Sequence, residues 1–378
     1  MYNTLKDIVQ DCHLSILVGS GLSMPYLRTL GNIETLLTEL DARDDLPSDQ
    51  RQLIKAALYK KYFSDVAAKN VRILTPDAAV QPVLDQYRAF FQALSDVLLR
   101  RKTPILSKEA NVFTTNVDIF MEKALEDLQL DYNDGFNGRF RPTFSLSNFR
   151  RSLLKRSLHY DNMSEVPVVN LCKLHGSISW ELGSAGIAFS PTLAHVSEVS
   201  ALSAAAVQIP VVPDGGDLAA LIDATTGHVP TAATSAFVEG YERLLVVVNP
   251  TKEKFKHTLL NQTYYELLRI YSNELEKENA FLLVLGFSFA DEHIREITIR
   301  ATSSNPTLLV WVVAHSATSA ADLSAKLNAA NAPNRNIRII APEQSPDAAG
   351  APTDEFQYDF STINAKIIAP LRADVIAS

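Results

Sequence analysis

The sequence predicts an α/β protein: a parallel sheet covered by helices on both faces. Two observations predict it. Short runs that are apolar throughout, such as Leu14–Val18 and Phe281–Leu285, recur along the chain, as strands buried on both faces do. Most are separated by stretches of helical periodicity, the pattern of strand–helix–strand units. The 378 residues, 47% hydrophobic and 21% charged, are enough to bury a core without metal or disulfide help, in roughly two domains.

Leu14–Val18 reads as a buried strand entering the turn Gly19-Ser20-Gly21. Helical periodicity follows at Ile33–Leu40, Gln52–Phe63 and Pro82–Leu99, the last with proline near its start. This block interrupts the alternation, so residues 33–99 read as an inserted helical subdomain and 1–32 with 100–378 as the main domain. Val112–Thr114 is the next strand, and Val117–Leu128 a helix. Tyr132–Arg156 is aromatic and basic and shows no assignable period. Val166–Leu174 is strand-like, and His175-Gly176 separates it from Ile178–Leu182.

From residue 183 to 240 alanine, serine, threonine and valine dominate and charges thin out, which suggests an irregular flap or surface excursion, or equally a small irregular subdomain. Regular alternation then resumes: strand Leu244–Val248, helix Phe255–Glu278, strand Phe281–Leu285, helix His293–Ser303, strand Leu308–Val313, helix Ala320–Ala329, strand Ile337–Ile340 and helix Ser361–Arg372.

Composition excludes several classes. Fourteen glycines, about 4% against a usual ~7%, rule out collagen-like and glycine-linker chains. Two cysteines, Cys12 and Cys172, allow neither a disulfide framework nor a four-cysteine zinc site. No apolar run reaches the ~18 residues that span a bilayer, and Met1–Asp11 lacks the apolar core of a secretory leader. The formal charge of −8 argues against a general nucleic-acid binder. The expectation is a cytoplasmic globular protein.

Four segments carry chemistry, and each falls where a strand ends, the place at which open parallel sheets bind ligands. In Gly19-Ser20-Gly21-Leu22-Ser23 the glycines let backbone turn sharply and approach a pyrophosphate; a plain strand-to-helix turn fits this segment equally well. Phe113-Thr114-Thr115-Asn116-Val117-Asp118 offers polar side chains for a ribose hydroxyl, a water and an amide, although helix capping alone explains an Asn and Asp here. Lys173-Leu174-His175-Gly176-Ser177 places a histidine, suited to proton transfer near neutrality, at the end of an apolar strand. Leu285-Gly286-Phe287-Ser288-Phe289-Ala290-Asp291-Glu292-His293 suits an adenosine ribose or phosphate edge, or a helix cap by Ser288 or Asp291.

Together and in this order the four segments resemble the sirtuin family. GSGLS is similar to its cofactor loop GAGxS, FTTNVD to its TQNxD segment, and LHGS to its histidine-glycine segment; GFSFADEHI has the form of the bacterial sirtuin-like branch. The resemblance runs from about Ser15 to Val313, with 183–240 unmatched. It implies a Rossmann-like NAD+-binding domain. The two cysteine pairs of zinc-bearing sirtuin deacetylases are missing, so no zinc module is expected. Asn249–Phe255, with Lys252 and Lys254, stands where deacetylases clamp acetyl-lysine peptides, and its proline-lysine form looks like the sirtuin-like NAD hydrolases of bacterial antiphage defence. The length is most similar to single-domain members paired with a HerA-type hexameric ATPase.

That resemblance implies roles. Asn116 positions the ribose and the attacking water, Asp118 holds the nicotinamide amide, and His175 contacts ribose hydroxyls as general base. Gly19, Ser20, Gly21 and Ser23 cradle the pyrophosphate, Thr115 and Gly286 line the dinucleotide site, and Ser288 and Asp291 face the adenosine. Lys252 and Lys254 read more simply as solvated lysines. The expected activity is NAD+ glycohydrolase, releasing nicotinamide and ADP-ribose, in a homo-oligomer gated by a partner ATPase and meeting nucleic acid only through such a complex. The alternatives are NAD+-dependent deacylation, or a subunit that senses NAD+ or ADP-ribose, or processes DNA, with little turnover.

Overall fold

A computed structural model describes residues 5–29, 31–103, 105–183, 186–247, 258–342 and 357–377. Seven strands form one sheet: β1 (His13–Val18), β2 (Glu109–Thr114), β3 (Tyr132–Asn133), β4 (Val168–Lys173), β5 (Ala280–Leu285), β6 (Leu309–Val313) and β7 (Ile337–Ile340). Their order is β7-β6-β5-β1-β2-β4-β3, and every pairing is parallel. Strand β1 therefore has β2 on one side and β5 on the other. It is the point at which the chain order reverses, where an open sheet leaves a crevice. The register makes the central strands end level: Val18 is opposite both Thr114 and Leu285, and Thr114 is opposite Lys173.

Side chains alternate between two cores, as a pleated strand requires. Leu14, Ile16 and Val18 point to one face with Val112, Leu171 and Leu283, while Leu17 points to the other with Phe113, Cys172, Leu282 and Val284. Because both faces are covered, these strands are apolar at nearly every position and showed no period of two in the sequence. The second face is closed by α-helices Thr258–Leu275, Glu292–Ser304 and Ala317–Lys326, through Tyr264, Leu267, Tyr271, Ile294 and Leu323.

The first face carries the inserted helices. In chain order the helices named from here are α1 (Ile33–Asp41), α2 (Ser48–Tyr62), α3 (Gln81–Leu99), α4 (Phe120–Asp127), α5 (Ala194–Ala205), α6 (Leu218–Thr225) and α7 (Ala232–Leu244). The segment 183–240, where composition suggests an irregular excursion, instead carries the helices α5, α6 and most of α7. Val196, Val199, Phe237 and Tyr241 are fully buried in the same core as the sheet. The charges thin out there because these helices pack against α2: the Tyr59 and Tyr241 rings stack at 4.3 Å, Lys60 donates to the Ala206 carbonyl at 2.9 Å, and Gln50 donates to that of Ile222 at 2.7 Å. The insertion and the 194–244 helices thus form one helical layer.

Other departures are local. Residues 244–248 are not a main-sheet strand: α7 runs to Leu244, and Val247 makes an isolated bridge to Gly176, with residue 248 outside the described residues. Two short strands of the unassigned aromatic stretch, Phe136–Asn137 and Thr143–Phe144, join Gly186–Phe189 and Trp180–Gly183 in a small antiparallel sheet. Its aromatic content has a structural use, since Phe136, Phe144, Phe189 and Trp180 pack with centroids 4.9–5.9 Å apart. An exposed hairpin, Leu153–Arg156 with Met163–Val166, completes the strands.

Among the described residues no helix is long and apolar enough to cross a membrane, and no group of three or more His, Cys, Asp or Glu is placed to hold a metal ion. Cys12 and Cys172 are both buried; burial pushes the Cys172 thiol up, out of reach of ionisation near neutrality.

Candidate active site

The four motifs follow β1, β2, β4 and β5 directly, so the parallel register brings them to one edge of the sheet. Two of them are locked together by backbone. The Gly19 amide donates to the Leu285 carbonyl at 2.9 Å and the Gly21 amide to that of Gly286 at 3.2 Å. A Cβ on Gly19 would stand 2.3 Å from the Gly286 oxygen, and Gly286 itself has a φ of +62°, in the left-handed region that favours glycine. The glycines therefore serve the approach of one loop to the other, and their two amides are already engaged. A phosphate here would be met by other donors of the Ser20–Ser23 turn.

Beneath that turn lies a buried polar cluster. Ser23 is 1% exposed; its hydroxyl donates to Asp118 Oδ2 at 2.8 Å and lies 2.9 Å from the Tyr87 hydroxyl. Asn116 Nδ2 donates to the Gly19 carbonyl at 3.2 Å and reaches Ser23 Oγ at 3.4 Å. Asn116 Oδ1 is buried and, among the described residues, accepts no hydrogen bond. Such an atom costs free energy unless something donates to it, so the cluster presents one acceptor ready for a hydroxyl or a water. Asp118 also makes a local turn just ahead of α4, its Oδ1 accepting from the Phe120 amide at 3.2 Å. Helix capping is therefore not what this motif does: the residue at the cap position is Ile119, which brings no side-chain hydrogen bond. Thr114 Oγ1 accepts from the Asn116 amide at 2.9 Å, whereas Thr115 is half-buried.

His175 leaves the end of β4 with its side chain 15% exposed, and its Nε2 stands 2.9 Å from Asp291 Oδ2. The Asp291 Oδ1 accepts from the Ile294 amide at 3.1 Å, capping the helix Glu292–Ser304. The sequence assigned Asp291 to the adenosine side; the structure sets its carboxylate against His175 while the same side chain caps a helix. The Tyr264 ring packs 5.8 Å from the imidazole, and burial, helped by Asp291, pushes the Tyr264 hydroxyl up, so it stays protonated. Ser288 is exposed on the β5 loop, and its carbonyl receives Lys326 Nζ at 3.2 Å. Asn249–Phe255, with Lys252 and Lys254, lies outside the described residues.

Several participants were not singled out from sequence. Tyr87 belongs to the inserted subdomain and reads there as one more core position of an amphipathic helix. Asn70, fully buried in the same subdomain, accepts the Ile119 amide at 3.0 Å. Lys173 and Glu122 form a buried ion pair at 3.1 Å behind the Asn116–Asp118 segment. Burial pushes the Glu122 carboxyl up, and Lys173 opposes that shift. A lysine closing a wholly buried strand was the available signal, since lysine is almost never fully buried unless paired.

Chemically, the edge offers a carboxylate-backed imidazole and a fixed amide with an unused acceptor. The fold is a Rossmann-like parallel sheet, consistent with a nucleotide-binding enzyme, and the four motifs lie at its switch point. Neither comparison with protein-family models nor comparison with curated proteins returns a match.

Proposed function

We propose that this chain is an NAD+ glycohydrolase of sirtuin-like type. The observation that carries the reading is the pairing, at one sheet edge, of a buried Asn116 amide with an unused oxygen and a His175 imidazole set against Asp291. The difficult species in N-glycoside cleavage is an oxocarbenium-like sugar, and nicotinamide leaves as a neutral molecule. The ribose C1′–N bond breaks with its electron pair going to the pyridine nitrogen. A water oxygen bonds to C1′, and its proton passes to His175 and then to solvent. In this reading Asn116 Oδ1 accepts from the water or a ribose hydroxyl and fixes its approach. Asp291 lies beside the imidazole and limits how it can turn, and the Asp118 carboxylate lies on the same segment as Asn116. The products are nicotinamide, ADP-ribose and one proton.

Such an activity drains a pool every cell needs, which fits a conditional effector such as antiphage defence, gated by assembly with a HerA-type ATPase and by homo-oligomer formation. This part rests on the resemblance of the motifs alone. The test supplies NAD+ to the purified chain, with and without the product of a neighbouring ATPase gene, and measures nicotinamide. Release in either condition supports the reading, and release that needs an acyl-lysine peptide moves it to deacylation. An intact NAD+ pool in both overturns it. In an active assembly, His175→Ala should lower kcat by ~10²–10⁴-fold, the usual contribution of a general base.

A further inference from the structure

Lys173 is the last residue of β4 and is 2% exposed, in a strand whose six residues are all buried. Its ammonium has three protons and three acceptors: the Asp118 carbonyl in a short contact, the Asn116 carbonyl at 3.3 Å, and Glu122 Oε1 at 3.1 Å. All three acceptors belong to the segment that leaves β2 and opens α4. The carbonyls on either side of Val117 are held from behind by one cation, and the Asn116 and Asp118 side chains on that segment enter the Ser23 cluster. Glu122 is placed by the first turn of α4, and Ser177, two residues beyond His175, brings its hydroxyl within 3.3 Å of the same oxygen. The pair therefore ties the asparagine segment to the histidine segment.

We infer that Lys173 is a positioning residue for Asn116 and Asp118, with Glu122 as its counter-charge; the inference deepens the NAD+-cleavage reading and rests on it for its catalytic consequence. Filling space does not require a charge here. Burying an ion pair carries a desolvation penalty that an apolar side chain of like volume avoids. What the ammonium supplies, and methionine cannot, is a grip on two backbone carbonyls. Reacting groups displaced by about 1 Å lose on the order of a hundredfold in rate, so a segment whose carbonyls are released should keep its fold and lose turnover.

The experiment compares wild type, Lys173→Met and Glu122→Gln by amide hydrogen exchange and by nicotinamide release in the active assembly. Methionine keeps the length without the charge; glutamine keeps an oxygen facing the ammonium. Exchange at residues 115–120 should rise about tenfold or more in K173M and by less in E122Q, while β1 and β5 amides stay as protected as in wild type. The kcat of K173M should fall on the order of a hundredfold with KM nearly unchanged, and E122Q should retain most of it. Unchanged protection at 115–120, or a rise shared equally by β1 and β5, overturns the inference. E122Q alone decides it by the same measure if K173M does not fold. A wild-type assembly that releases no nicotinamide removes the NAD+ reading, and the exchange pattern then decides the role of Lys173 separately.

Discussion

Asp291 performs two tasks with its two oxygens, and substitution can separate them. Oδ1 caps the helix that follows β5, and Oδ2 faces His175. Asparagine caps helices as well as aspartate does but brings no charge to the imidazole. Asp291→Asn should therefore leave thermal stability nearly unchanged and lower nicotinamide release at least tenfold, a modest share of the ~10²–10⁴ attributed to a general base. Asp291→Ala should show the same kinetic loss and also cost about 1 kcal/mol of stability from the missing cap, read by denaturant unfolding. Equal turnover in D291N and wild type would remove Asp291 from the mechanism. Gly19 gives a complementary prediction. Its neighbour at 2.3 Å would be a backbone oxygen, which cannot swing away. Gly19→Ala should destabilise the fold by roughly 1–3 kcal/mol, as overpacking does. The sequence marks Gly19 for close approach to a pyrophosphate; the approach seen in the structure is to Gly286, a partner 267 positions away that no local pattern could name.

At the scale of elements, legibility followed burial and length. The strands of the main sheet from β1 to β7 were read within about three residues wherever four or more apolar positions ran together, as at Phe281–Leu285 within Ala280–Leu285. Two-residue strands such as Tyr132–Asn133 and Thr143–Phe144 carry no period and were invisible. The helices at 194–244 were missed for a different reason. Ala194–Ala205 is mostly alanine, serine and valine and shows no amphipathic period, whereas Ala232–Leu244 keeps a polar side, with Glu239 and Arg243 exposed, that the alanine and threonine around it obscured. The ties holding that layer are also non-local. Asp214 accepts from Lys61 at 2.6 Å and from Arg28 in a short contact, joining the 206–217 connection to α2 and to the loop after β1. These two cations hold the Asp214 carboxyl down at about 2, against an ordinary 3.8. A depressed carboxylate contributes above its unfolded value, and the contribution is lost as pH falls through the folded one. Asp214→Asn should thus raise proteolysis and hydrogen exchange of residues 206–217 at neutral pH. The gap to wild type should close between about pH 4 and pH 2, and it should shrink in high salt because the carboxylate is exposed. A gap that persists at pH 2 would mean the connection is held by something other than this charge.

The whole molecule divides into parts that share a core and a part that does not. The inserted helices, the 194–244 helices and the C-terminal residues Phe360, Ile363 and Val375 bury side chains in one cluster with β1 and β2, so on that face they share one hydrophobic core. The Leu153–Arg156/Met163–Val166 hairpin stands outside it. Its strands pair only with each other, and Leu154, Leu158, Tyr160 and Met163 are 58–95% exposed. A lone two-stranded ribbon adds little stability in water, and exposed apolar side chains in a row favour association. Leu154 lies opposite Glu165 in the register, so a two-residue Asn-Gly turn can join them in place of residues 155–164. The shortened chain should unfold within about 2 °C of wild type, since the change removes no buried apolar group and surface changes stay within about 0.5 kcal/mol. It should also scatter less light on heating, and it should release nicotinamide at the wild-type rate in an active assembly, because no residue of the Asn116 or His175 clusters lies in the replaced stretch. A Tm loss of several degrees would show that the ribbon braces the sheet edge at β3. Lost turnover at unchanged Tm would instead place the ribbon among the contacts that assembly requires.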